Sequence, residues 1–186
     1  MRTRVIGALF GLIWLVAGLV HADTIGLYAD QWGTNCNIEL QHDLTYVHVV
    51  HVTDGATGCE FMAPQPACLT GAVSVYDQCV LPPPACCCGG SQTGMTFDYG
   101  VCRSGAIEIA RIVYRMGQTT NPCCVYPLLP HPNSSGGQLL VSDCDYNVVP
   151  AIGLASTVNG DSTCPCGYPV PVEETTWGGV KALYTE

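Results

Sequence analysis

Leu44-Thr-Tyr-Val-His-Val-Val-His-Val-Thr53 is the stretch on which the fold turns. It holds no glycine or proline and is rich in Val, Thr and Tyr, side chains that crowd a helix and suit a pleated surface. It reads as a strand, and Asp54-Gly55 behind it as the turn that ends it. Working outward, residues 24–29 alternate Ile25, Leu27 and Ala29 with Thr24, Gly26 and Tyr28, the pattern of a half-buried strand. Residues 58–62, 72–76, 95–101, 138–142, 147–149 and 154–158 carry shorter strand patterns. Residues 106–116 permit a helix in which Glu108 reaches Arg111, but Ile107, Ile109, Ile112 and Val113 favour a strand.

Between these runs lie segments that break regular structure. Leu81-Pro-Pro-Pro-Ala-Cys-Cys-Cys-Gly-Gly90 and residues 121–137 combine proline, glycine and cysteine, and both read as surface loops pinned by sulfur. About nine short strands separated by such turns give an all-β chain. The expected architecture is a single disulfide-stapled β-sandwich, Greek-key or jelly-roll-like, over residues 23–167.

The two ends differ from that body. Arg2 and Arg4 precede an uncharged apolar run, Val5 to Val20, which closes on Val20-His-Ala22. This is the plan of a secretory signal peptide over residues 1–22, cleaved before Asp23. The run falls short of the roughly 20 residues that span a bilayer, so no membrane insertion is expected after cleavage. At the other end, residues 168–186 form a connector and docking tail. Thr175 or Thr176 caps a short helix there, and Trp177, Leu183 and Tyr184 are its docking or assembly residues.

All 13 cysteines follow the leader: Cys36, Cys59, Cys68, Cys79, Cys86, Cys87, Cys88, Cys102, Cys123, Cys124, Cys144, Cys164 and Cys166. In an exported chain that density reads as disulfides. Six bridges leave one sulfur over for an intermolecular bond, a mixed disulfide or burial; the connectivity is open. The whole chain carries a net charge of −9, and past the leader only Arg103, Arg111, Arg115 and Lys181 are basic. Nucleic acids and anionic lipid surfaces are excluded as partners, since both need a cluster of cations.

Ile25-Gly-Leu-Tyr-Ala-Asp30 and Val172-Glu-Glu-Thr-Thr-Trp-Gly-Gly-Val-Lys-Ala-Leu-Tyr184 resemble segments of secreted cysteine-rich proteins from environmental Gram-negative bacteria. The resemblance implies a bacterial, exported origin. It brings no catalytic residue with it.

Candidate chemistry is sparse. His48 and His51, three apart on a strand, face opposite sides and cannot share an ion; a metal would need His42, His131 or a distant group. Cys86-Cys-Cys88, Cys123-Cys124 and Cys164-Pro-Cys166 would suit copper(I) or zinc only as reduced thiolates, and no paired Cys-x-x-Cys elements are present. Asp143, Asp145 and Asn147 sit at alternate positions like the start of a calcium loop, but Val148 stands where that loop needs glycine. No hydrolase signature is present: Ser104 lies in Cys-Arg-Ser-Gly. The expectation is a non-catalytic, cofactor-free structural or binding module, secreted or periplasmic. It would engage an unidentified protein or surface ligand, or a second copy of itself. The alternatives are a secreted glycan hydrolase using paired Asp/Glu, and a cysteine-rich metal-binding protein.

Overall fold

The computed structural model describes residues 23–40, 43–116, 122–164 and 166. The expected leader, residues 1–22, and the expected helical tail, 168–186 with Trp177, Leu183 and Tyr184, lie outside them. Ten strands follow in order: β1 (Thr24–Tyr28), β2 (Asn37–Ile38), β3 (Leu44–Phe61), β4 (Ala72–Cys79), β5 (Cys86–Gly90), β6 (Gly94–Met116), β7 (Cys124–Tyr126), β8 (Leu139–Asp143), β9 (Val148–Leu154) and β10 (Ser156–Val158). The one other regular element among the described residues is a 3-10 turn, Ser135–Gly137.

Two expected boundaries vanish. Asp54-Gly55 does not end the opening strand; β3 runs on for 18 residues, and residues 95–101 and 106–116 fuse into the 23-residue β6. The β3–β6 ladder shifts register between Thr53, Ala56 and Gly58, so the strand bends without stopping. Gly55 serves a close approach here. A Cβ on it would meet Sγ of Cys144 at 2.8 Å, because the Cys102–Cys144 disulfide passes over β3 at this point. Residues 86–90, read as loop, pair with β6 along the sheet edge, where a strand short of side chains is tolerated. Likewise β7 interrupts the loop expected over 121–137.

The bent β3–β6 ribbon builds both layers of a sandwich. In the first layer, residues 44–53 of β3 have β1 on one edge and the later half of β6 on the other, with β4 beyond. In the second, residues 56–61 of β3 lie between β8 and the earlier half of β6, with β9 and β5 outermost. Parallel pairing of β1 with β9 joins the layers along one side. Along β3 the inward positions are Thr45, Val47, Val49, His51, Thr53, Thr57, Cys59 and Phe61, all buried, as strand alternation requires. Phe61 stacks on Phe97 with ring centroids 5.6 Å apart.

A second, three-stranded sheet, β2-β10-β7, packs against this body. Its anchor is Tyr126, whose hydroxyl donates to Ala63 O at 3.1 Å and lies 2.6 Å from that of Tyr114. Three bridges staple it: Cys36–Cys166, Cys68–Cys124 and Cys123–Cys164. The other two, Cys79–Cys87 and Cys102–Cys144, tie β4 to β5 and β6 to the end of β8. The chain therefore has five bridges among the described residues, not six, and Cys59, Cys86 and Cys88 are free. The reason is alternation: on β5, Cys87 faces inward to Cys79 while its two neighbours face out.

Candidate functional site

The outward positions of the first layer form three cross-strand rows. Tyr46, Val113 and Tyr76 are register partners across β3, β6 and β4; so are Leu44, Arg115 and Val73, and His48, Arg111 and Gln78. Adjacent strands lie about 4.8 Å apart, which places the two tyrosines roughly 10 Å from one another. Tyr46 is 41% exposed and Tyr76 48%, while Val113 between them is fully covered. Leu44 and Val73 are also exposed, so the face is an aliphatic and aromatic platform carried on three paired strands.

A bulge writes the charge pattern beside it. Val49 opposes Ala110 and Val50 opposes Glu108, so Ile109 is the extra residue on β6. Without it Glu108 and Arg111 would face opposite sides; with it they share the outer face. Arg111 donates to both carboxylate oxygens of Glu108, Nε at 2.7 Å and Nη2 at 2.8 Å, and His48 Nδ1 lies 2.5 Å from Oε1. Burial alone would raise the Glu108 carboxyl, but hydrogen bonds from Arg111 and then His48 outweigh it and hold the group below the usual range. The contact that a helix would have explained is made by a strand. Of the three described arginines, Arg111 and Arg115 both stand on this face.

The second layer presents a groove of about 360 Å³, lined by Glu60, Thr96, Asn133, Leu140, Ser142 and Val148. Glu60 is its single carboxylate. Asp98 lines a smaller adjoining hollow, where its Oδ1 accepts from the Gly100 N–H at 2.8 Å. Cys86 and Cys88 are exposed on the same face, at the β5 edge.

The remaining candidates fall elsewhere. His48 and His51 do face opposite sides: the first joins Glu108, while the second is buried with Nδ1 2.7 Å from the Tyr99 hydroxyl and Nε2 3.5 Å from Asp23 Oδ1. The Tyr99 hydroxyl lies 3.2 Å from Sγ of Cys59, and burial pushes that thiol up to about 12. Asp143, Asp145 and Asn147 make the β8–β9 turn. Asp143 Oδ1 accepts from the backbone N–H groups of Asp145 and Asn147, both at 2.8 Å, and Oδ2 accepts from the Asn147 amide at 3.0 Å. The Asp143 carboxylate thus caps its own turn. Cys123, Asp161 and Cys164 gather within 4.8 Å, but the two sulfurs are bonded to each other and offer no thiolate.

The platform was hidden from sequence reasoning. Alternation along β3 points Leu44, Tyr46 and His48 outward, yet a register shift between Ser74 and Tyr76 breaks the parity that would have joined Tyr76 to them.

No known protein family and no curated protein matches the chain. Solved structures resemble the chain to varying degrees. A non-cellulosomal cohesin from the hyperthermophilic archaeon Archaeoglobus fulgidus is 13% identical, aligns over 76% of this chain and 93% of its own, and gives a TM-score of 0.50. The sixth cohesin of scaffoldin B from Acetivibrio cellulolyticus, solved in complex with a Cel5 dockerin, is 13% identical over 75% of this chain and 99% of its own, with a TM-score of 0.49. At such identity the likeness is one of fold, a cohesin-like β-sandwich.

Proposed function

We propose that the chain is an exported, non-catalytic binding module that holds a protein partner on the outer face of its first layer. The Tyr46–Val113–Tyr76 row carries this reading. Exposed tyrosines on a strand-borne face, with arginine beside them, have the composition that protein interfaces favour and hot spots concentrate. An exposed apolar patch of this kind on an otherwise acidic chain marks an interaction surface. Because Arg115 flanks the patch while Arg111 is held by Glu108, the partner is one that offers apolar side chains with a carboxylate beside them.

Export to the periplasm or beyond is supported by the Arg2/Arg4 leader pattern and by five disulfides, which persist in oxidising compartments. Among the described residues no helix is long and apolar enough to cross a membrane. A bacterial source fits the same leader and the Gram-negative resemblance. The hydrolase alternative draws no support from the 360 Å³ groove, whose lining carries one carboxylate, Glu60, and the thiolate alternative loses ten of its sulfurs to bridges.

The test compares the bridged wild-type chain, immobilised, with a Tyr46→Ala/Tyr76→Ala/Arg115→Glu variant, each exposed to exported proteins of the producing cell. A protein retained by the wild type is then purified and titrated against both. The expected result is a loss of at least about tenfold in affinity with unchanged thermal unfolding. Equal binding to both chains, or retention of glycans in place of protein, would overturn the reading.

A further inference from the structure

Three thiols are free, and their positions decide what each can do. Cys59 faces the core and is closed to reagents. Cys86 and Cys88 are exposed and two residues apart on β5, so both project from the outer face. Two strand positions with parallel Cβ directions hold their Cβ atoms roughly 6.6 Å apart, beyond the roughly 3.5–4.5 Å that a disulfide needs, so the two cannot be bridged to each other without moving the backbone. The other ten cysteines are already paired. Oxidation of Cys86 and Cys88 must therefore use sulfur from another molecule.

We propose that this chain forms a covalent two-fold dimer through β5, with Cys86 of each copy bonded to Cys88 of the other. β5 is an edge strand, paired with β6 and with no other described strand. It carries no charge and no proline, the devices that keep edges from pairing. A second β5 laid antiparallel about an axis through Cys87 sets Cys86 opposite Cys88 twice over. Directly opposed residues have Cα atoms about 4.5 or 5.5 Å apart, depending on their place in the ladder, and both distances suit a disulfide. An interface of this symmetry needs a self-complementary patch, and Cys-x-Cys centred on Cys87 is one. Cys87 does not compete, because it faces inward to Cys79.

The inference rests on the exported reading above, which supplies the disulfide donor. A Cys86 thiolate attacks a donor disulfide such as oxidised glutathione, releasing one donor thiol. The Cys88 thiolate of the second copy then attacks that mixed disulfide and releases the other donor thiol. For each bridge two protein thiols lose two protons and two electrons, and one donor disulfide is reduced to two thiols. Without the leader each copy keeps four basic residues against 15 acidic ones, a net charge of −11, so repulsion opposes unlinked pairing and the bonds hold the dimer together.

The experiment uses full-length exported chain in a glutathione redox buffer, read by non-reducing electrophoresis and intact mass. The wild type runs as a dimer that reductant converts to monomer, and mixed isotope labelling shows the cross-link joining two chains. Cys86→Ser alone and Cys88→Ser alone stay monomeric with five intrachain bridges. Mixed together they cross-link, since the remaining Cys88 of one faces the remaining Cys86 of the other. Single variants that dimerise as well as the wild type would overturn the proposal. So would a wild type that keeps its five bridges while Cys86 and Cys88 remain alkylatable or carry only glutathione. Thirteen alkylatable thiols in the natively produced chain would overturn the exported reading and the dimer together, and so is distinguishable from those results.

Discussion

His51 on β3 and Tyr99 on β6 join the two layers across the core, with the imidazole Nδ1 2.7 Å from the hydroxyl. Burial pushes the imidazole down to about 4, and the Asp23 carboxylate, acting in the opposite direction, does not restore it. Between pH 6.5 and about 4 the unfolded chain therefore binds a proton that the folded chain refuses. Stability is full above pH 6.5 and falls as pH drops through that window, by up to about 3 kcal/mol. Urea midpoints measured from pH 7.5 to 4 should show the fall, and His51→Gln should flatten it. Asp30 and Glu108, held below their ordinary values, lose their contribution only at lower pH. A stability that stays level, or rises, on acidification from pH 6.5 to 4 would remove the buried neutral imidazole from the account.

Gly55 lies beneath the Cys102–Cys144 bridge, and its missing side chain is what lets sulfur cross the central strand. Gly55→Val should force the bridge aside, leaving two additional thiols in the purified chain that react with a maleimide. Loss of a closure spanning 42 residues costs about 4 kcal/mol by chain entropy. Cys102→Ser/Cys144→Ser should lose a similar amount, and adding Gly55→Val to that pair should cost much less than it does alone. If Gly55→Val costs the same with and without the bridge, the glycine has another role.

How much of this could be read from residues alone is uneven, and the unevenness has physical causes. The run from Leu44 to Thr53 declared its strand because it is rich in Val, Thr and Tyr and free of glycine and proline, but not its inward face, which holds the polar His51 and Thr53 while Val50 and Val52 stand at the opposite parity. The length of β3 stayed hidden because Asp54-Gly55 has turn chemistry, and only the disulfide lying over Gly55 gives that glycine a different purpose. β5 stayed hidden because Cys86–Gly90 has no apolar alternation; its place is set by backbone hydrogen bonds to β6 and by the Cys79–Cys87 bridge. That omission also hid the sulfur arithmetic, since Cys87 parts from Cys86 and Cys88 only if the segment is extended. The Glu108–Arg111 contact was legible as a contact, but its cause, the bulge at Ile109, depends on pairing across strands that sequence spacing does not encode.

The small sheet hangs on Tyr126, and the hydroxyl geometry there gives a test of how tightly. Tyr126 stands edge-on to Tyr114, with centroids 6.1 Å apart, and its hydroxyl both donates to Ala63 O and lies 2.6 Å from the Tyr114 hydroxyl. With the Tyr126 proton committed to Ala63, Tyr114 is the donor between the pair. Tyr126→Phe keeps the ring packing but takes a donor from the buried Ala63 carbonyl and one of two side-chain partners from the Tyr114 hydroxyl, which retains Gln92, at a cost of about 1–3 kcal/mol. A double-mutant cycle with Tyr114→Phe should give a coupling of about 1 kcal/mol, because each change removes the same hydrogen bond. Hydrogen exchange supplies the second readout. Amides of β7 and β10, paired at Tyr126–Ser156 and Val125–Thr157, should lose protection in Tyr126→Phe while those of β3 keep theirs. Equal loss in β3 would mean that the small sheet and the sandwich open together, and the tyrosine would then be an ordinary core residue and not the hinge pin of a separate unit.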